Sequence, residues 1–127
     1  MKQPSKGNNN YLLIMKKVFI CNVSNINRGY FIKYVDEIRD EIIVFKLNDE
    51  ILIRSSICPH FGGEIYFDKK KVILKCKWHA WEFEPKTGRC LTYNVKSNVR
   101  NYEVKTVPKD LKKYSFLVEN NEIFLTL

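Results

Sequence analysis

Short apolar runs separated by turn residues constrain the fold of this 127-residue chain more than any other feature. Two of the turns are Asn48-Asp49 and Asn120-Asn121, and each stands between runs rich in β-branched and aromatic residues. Asn and Asp tolerate the left-handed backbone that a two-residue hairpin turn requires. The flanking runs, 42–47 with 51–53 and 114–119 with 122–127, therefore predict two β-hairpins.

Two further apolar runs, 18–23 and 72–74, and two alternating segments, 30–35 and 81–84, extend this pattern. Residues 85–88, Pro-Lys-Thr-Gly, predict a turn, because Pro presets φ and Gly tolerates a positive φ. The charged segments 36–41 and 109–113 are the candidates for a helical turn, and the sequence contains no long amphipathic helix. The spacing predicts an all-β domain of about eight to ten short antiparallel strands.

The length of the chain favours a single domain. Residues 1–10 are polar and predict a flexible N-terminal tail, and residues 11–127 predict one folded domain. The apolar residues 11–15 are followed by two lysines, so they are too short for a membrane span of about 20 residues and for a signal-peptide core. We expect a soluble cytoplasmic protein whose cysteines are metal ligands or buried thiols rather than disulfides.

Two pairs of soft metal ligands stand out in the sequence. Cys58-Pro59-His60 is followed by Phe61-Gly62-Gly63, and Cys76-Lys77-Trp78-His79 is followed by Ala80-Trp81. Two thiolates and two imidazoles favour either zinc or an iron–sulfur centre. Zinc sites usually group like ligands in sequence, whereas each segment here offers one sulfur and one nitrogen. This arrangement suits a two-iron cluster in which one iron takes both thiolates and the other takes both imidazoles.

The two motifs, C-P-H-x-G-G and C-x-W-H-x-W-x-F with a following T-G turn, resemble the Rieske [2Fe–2S] family over most of the chain, from about residue 18 to residue 127. The resemblance implies stacked antiparallel sheets with one [2Fe–2S] cluster held by two loops at one end. It further implies that Cys58 and Cys76 bind one iron, and that His60 and His79 bind the other through Nδ1.

Departures from the family pattern place the chain in its ferredoxin and oxygenase branch. Rieske proteins of cytochrome bc complexes carry a disulfide between the loops, but the matching positions here are Gly63 and Trp78. Those proteins also place a hydrogen-bonding serine where this chain has Trp81. Fewer donors to the cluster sulfurs predict a reduction potential near the low end of the span of roughly −150 to +300 mV. Ala80 stands where the family usually has glycine.

Several other residues have both a structural and a functional interpretation. Trp78 and Trp81 are either shields that limit solvent access to the cluster or ordinary core aromatics. Cys21 and Cys90 have no ligand neighbours at a suitable spacing, so we expect them to be buried thiols.

The formal net charge of +8 concentrates partly around Lys69-Lys70-Lys71, Lys75 and Lys77. This charge indicates either a solvated hairpin tip or a surface that docks on an acidic partner. Nucleic-acid binding is a weaker interpretation, because the sequence has no recognised binding motif.

The resemblance implies a stand-alone Rieske-type ferredoxin that carries one electron at a time and is not itself an enzyme. Its expected partners are a flavoprotein reductase and a terminal oxygenase or a similar acceptor. One alternative is the Rieske subunit or detached N-terminal domain of an oxygenase or nitrite-reductase-like enzyme. Another is a sensing or binding module that depends on zinc or on a labile cluster.

Overall fold

The computed structural model describes residues 16–27, 29–59, 62–78, 80–92 and 109–127. These residues form nine strands and two short 3₁₀ turns, with no α-helix among them, so the predicted all-β class is confirmed. The strands are β1 (Lys17–Asn22), β2 (Tyr30–Val35), β3 (Asp40–Leu47), β4 (Glu50–Ser55), β5 (Ile65–Asp68), β6 (Ile73–Cys76), β7 (Glu82–Phe83), β8 (Phe116–Glu119) and β9 (Glu122–Thr126).

The strands form three antiparallel sheets of three strands each. Their orders are β1-β9-β8, β2-β3-β4 and β5-β6-β7. The two predicted hairpins join β3 to β4 and β8 to β9. Their turn residues all have positive φ, 51° and 73° at Asn48 and Asp49 and 51° and 64° at Asn120 and Asn121. This is the backbone that matches the twist of paired strands in a two-residue hairpin.

The sheet β2-β3-β4 is the middle layer of the fold. Along β3, Ile43 and Phe45 pack into one core with side chains from β5-β6-β7. The alternate residues Ile42 and Val44 pack into a second core with side chains from β1 and β9. Because successive side chains of a strand point to opposite faces, β3 is buried on both sides. We call these the upper core and the lower core, respectively.

Some local predictions differ from the structure. The sequence analysis did not predict β5, and the candidate helical turn at 109–113 is not helical but irregular, with an isolated β-bridge at Lys113. The other candidate, 36–41, contains a 3₁₀ turn at Asp36–Ile38 before β3 begins. The tail predicted for residues 1–10 lies outside the described residues. Within the described residues, no helix is long and apolar enough to cross a membrane.

Candidate metal centre

Two loops that contain the predicted cysteine ligands lie at the same end of the sheet β5-β6-β7. The first loop is residues 58–63, between β4 and β5, and the second loop is residues 76–81, between β6 and β7. Cys76 pairs with Ile65 in the β5-β6 ladder, and Ile57 forms a bridge with Glu64. The Lys77 backbone N–H donates to the Glu64 carbonyl at 2.9 Å. These pairings hold the bases of the two loops beside one another.

The two loops share the same backbone brace. The Cys58 N–H donates to the carbonyl of Gly63, and the Cys76 N–H donates to the carbonyl of Trp81, both at 2.8 Å and five residues along. In return, the carbonyl of each cysteine accepts the N–H four residues along, from Gly62 at 2.8 Å and from Ala80 at 2.9 Å. Each cysteine is therefore fixed by two backbone hydrogen bonds within its own loop.

The residue that closes each brace has a left-handed backbone. Gly62 has φ of 77° and Ala80 has φ of 58°. Glycine adopts this conformation without steric cost, whereas alanine pays about 1–2 kcal/mol for the contact of Cβ with the following carbonyl. Alanine in place of the usual glycine at position 80 therefore raises the conformational energy of the second loop and leaves its hydrogen bonds in place.

Both cysteines of the loops are buried and form no disulfide. Cys58 and Cys76 are each 1% exposed and belong to the upper core. A Cβ built at Gly63 would lie 2.9 Å from the Cys76 Sγ, which is closer than real Cβ atoms approach. The missing side chain at Gly63 therefore leaves room for the sulfur of the other loop.

Two buried serines anchor the chain that leads into the first loop. The Ser55 hydroxyl donates to Asp40 at 3.2 Å, and the Ser56 hydroxyl donates to Glu41 at 3.0 Å. The Tyr114 hydroxyl also donates to Asp40. Burial and this carboxylate raise the pKa of Tyr114 above its ordinary value. The sequence analysis missed these anchors, although two adjacent serines between a strand and a cysteine are a readable sign of local hydrogen bonding.

His60 and His79 lie outside the described residues, so their roles stay predictions. Among the residues that the structure does describe, no group of three ligating side chains is close enough to hold a metal ion. The structure thus brings together the two predicted loops with their cysteines.

The other two cysteines are buried thiols, as predicted. Cys21 is 2% exposed in the lower core, and burial raises its pKa to about 11. Cys90 is 6% exposed in the upper core, and its N–H donates to Asp110 at 3.0 Å.

The lysines predicted as a basic surface divide into two groups. Lys75 lies just before the second loop and Lys77 lies within it. The Nζ atom of Lys75 is 3.8 Å from Glu82, and the Nζ atom of Lys77 is 3.2 Å from Glu64. The contact with Glu64 raises the pKa of Lys77 above its ordinary value. Carboxylates therefore compensate both of these charges.

The run Lys69-Lys70-Lys71 lies in the turn between β5 and β6. The hairpin ladder begins with Ile65 opposite Cys76 and reaches Asp68 opposite Ile73. With a rise of 3.2–3.4 Å per residue, the turn is about 10 Å along the strands from Cys76. The structure thus places the run at the hairpin tip, in agreement with the first of the two interpretations of this charge.

Comparison with known proteins gives the site its context. The model of the family "Rieske [2Fe-2S] domain" matches residues 16–103. Cholesterol 7-desaturase nvd of Hemicentrotus pulcherrimus is 30% identical over 100 residues, which are 74% of this chain and 20% of that protein. The chain therefore spans about a fifth of the length of this curated relative.

Two solved ferredoxins share the fold. The ferredoxin of carbazole 1,9a-dioxygenase from Nocardioides aromaticivorans IC177 superposes with a TM-score of 0.64 at 18% identity, over 87% of this chain and 96% of that one. A ferredoxin of Sphingomonas yanoikuyae B1 superposes with a TM-score of 0.66 at 17% identity, over 88% and 99%. Both likenesses support the predicted stacked antiparallel sheets.

The family match implies an electron-transfer domain with one [2Fe–2S] cluster. The described residues fit such a group, because two buried cysteines outside any disulfide stand in loops that are joined at their bases. The space that a Cβ at Gly63 would fill adjoins one of these thiols. Thiolate sulfur is also the ligand that iron–sulfur clusters require from cysteine.

Proposed function

Since this chain belongs to the Rieske [2Fe–2S] domain family, we propose that it works as a Rieske-type ferredoxin between a flavoprotein reductase and an oxygenase-type acceptor. The observation that carries the proposal is the pair of matching loops, each of which fixes a buried cysteine at the same end of the sheet. The likeness to two ferredoxins over nearly their whole length supports the choice of a small carrier.

We assign the ligands from the motifs and from the positions of the loops. Cys58 and Cys76 would bind one iron, and His60 and His79 would bind the other. When bound, a [2Fe–2S] cluster accepts and releases one electron at a time. The chain's own contribution is to fix both thiols with backbone hydrogen bonds and to bury them in the upper core, which excludes water from the sulfur side.

The proposal includes docking at the end of the fold where the loops lie. Lys75 and Lys77 are paired with carboxylates, so they present little net charge to a partner. An acidic partner surface, which is one of the two interpretations of this charge, would instead meet Lys69-Lys70-Lys71 at the hairpin tip, where the structure describes no ion pair for these side chains. Contact there would hold the partner about 10 Å from Cys76 along the strands. We therefore expect an acidic surface to add to the rate of association rather than to define the route of the electron.

A second candidate function is supported by the length of the curated relative. The desaturase is about five times as long as the matching region, so this domain also occurs within larger proteins. In that case the chain would be the Rieske domain or subunit of an oxygenase and would pass its electron to another domain.

The ligand assignment is tested on the purified chain by absorption and by EPR after reduction with dithionite. A Rieske cluster gives a rhombic signal with an average g value below that of four-cysteine clusters, whereas zinc is EPR-silent. We expect His60→Ala and His79→Ala each to abolish the signal, because each removes a proposed ligand. Cys90→Ala is the matched control, since it removes a buried thiol of the same core that is not a proposed ligand. An unchanged signal in either histidine variant would refute the assignment.

The carrier role is tested with NADH, a flavoprotein ferredoxin reductase and cytochrome c as the acceptor. A ferredoxin makes cytochrome c reduction depend on its own concentration. A chain that holds the cluster but supports no transfer in this assay, or with other ferredoxin reductases, would favour the domain of a larger oxygenase.

A further inference from the structure

Trp78 has an unusual position for a large apolar side chain. It is 66% exposed, more than any other large apolar residue that the structure describes. Its neighbour in the second loop, Cys76, is only 1% exposed. The other tryptophan, Trp81, packs against the upper core. Packing against the core therefore explains the position of Trp81 but not the position of Trp78.

The contact that holds Trp78 is with the first loop. A Cβ built at Gly63 would lie 2.9 Å from Trp78 Cγ and 3.0 Å from its Cδ2. The same Cβ would lie 2.9 Å from Cys76 Sγ. Gly63 thus lies against the indole of Trp78 and the sulfur of Cys76 at the same time. Since Trp78 and Cys76 belong to the second loop and Gly63 to the first, this contact joins the two loops near the sulfur.

We propose that Trp78 is a positioning residue that holds the first loop against the second and keeps water away from the Cys76 sulfur. The role of the indole toward a bound cluster rests on the proposed function, while the contact between the loops does not. The Cγ and Cδ2 side of the indole lies against Gly63, although most of the residue is exposed.

Two consequences follow for the loaded protein. Removing the indole opens the Gly63 side of the sulfur to water and to small chelators. Water near the sulfur stabilises the more negative, reduced state, so the reduction potential becomes more positive. The rate at which a chelator removes iron rises for the same reason.

The experiment compares Trp78→Ala, Trp78→Phe and Tyr34→Ala with the original protein. Tyr34 is 54% exposed on β2, so its removal controls for the loss of an exposed aromatic side chain elsewhere. We expect Trp78→Ala to speed the loss of visible absorbance in EDTA by on the order of tenfold and to raise the midpoint potential. Trp78→Phe retains an aromatic ring over Gly63 and restores most of the original behaviour, and Tyr34→Ala changes neither quantity.

A second measurement is informative with or without the cluster, because an iron-bound Cys76 is alkylated only after the cluster is lost and a cluster-free Cys76 is alkylated directly. Iodoacetamide labelling followed by mass spectrometry gives the alkylation rate of Cys76 relative to Cys90, which is buried in the same core. We expect Trp78→Ala to raise this ratio. Equal acceleration at both cysteines would mean general destabilisation and would overturn the proposal, as would an unchanged ratio. A chain without a [2Fe–2S] cluster would contradict the proposed function, and the labelling ratio would still decide the role of Trp78.

Discussion

The two loops of the candidate metal centre have the same backbone hydrogen bonds and different side chains at equivalent positions. Four residues after the cysteine stands Gly62 in the first loop and Ala80 in the second. Five residues after it stands Gly63 in the first loop and Trp81 in the second. The difference shows that the brace itself tolerates different side chains. The first loop needs its second glycine because the other loop packs on it.

Gly63→Ala is expected to have the largest effect, since it breaks the contact between the loops. The new methyl group would overlap the Cys76 sulfur and the Trp78 ring, so at least one of them must move. Overpacking of this kind costs about 1–3 kcal/mol of the free energy of unfolding. We also expect the iron content per chain to fall by on the order of tenfold. Iron and sulfide analysis of the purified variant measures this change. Iron content equal to that of the original protein would show that the contact is unimportant.

Gly62→Ala is the matched change at the neighbouring position, and a smaller effect is expected. A Cβ at Gly62 would meet no atom of the described residues within 4 Å, but φ is 77°. The cost is therefore conformational, at about 1–2 kcal/mol of the free energy of unfolding. Urea denaturation followed by circular dichroism measures this cost, and the cluster spectrum should not change. A loss of iron as large as in Gly63→Ala would contradict the steric explanation.

Ala80→Gly makes the second loop more like the first and is expected to have the smallest effect, with the opposite sign. Glycine relieves the strain at φ of 58° but adds freedom to the unfolded chain, so the net gain is up to about 1 kcal/mol. Ala80→Val is the control, because a β-branched residue is less tolerant of this backbone and should destabilise the protein. Thermal unfolding of the three proteins under the same conditions gives the order, and a loss of stability in Ala80→Gly would refute the comparison.

The sequence predicted the hairpins and the two ligand motifs because their signals are local. Asn and Asp in a two-residue turn indicate a left-handed backbone, and cysteine with histidine at short spacing indicates metal ligation. Strand β5 escaped prediction because its short apolar run, Ile65-Tyr66-Phe67, stands between a glycine pair and the lysine turn, where turn residues on both sides obscure the strand signal.

The equivalence of the loops could not be predicted either. Histidine follows cysteine by two positions in the first loop and by three in the second, so the sequences do not align. The shared brace consists of backbone groups, which leave little trace in residue type. The distance between the lysine run and Cys76 depends on the register of β5 against β6, and composition carries no information about register.

The middle sheet has a consequence for how such a domain can diverge. Neighbouring positions on β3, such as Ile42 and Ile43, face different cores. A mutation at one position therefore acts first on the core that supports the two loops, and a mutation at the next acts first on the core against β1 and β9. Variation along this single strand can thus alter the two cores one at a time.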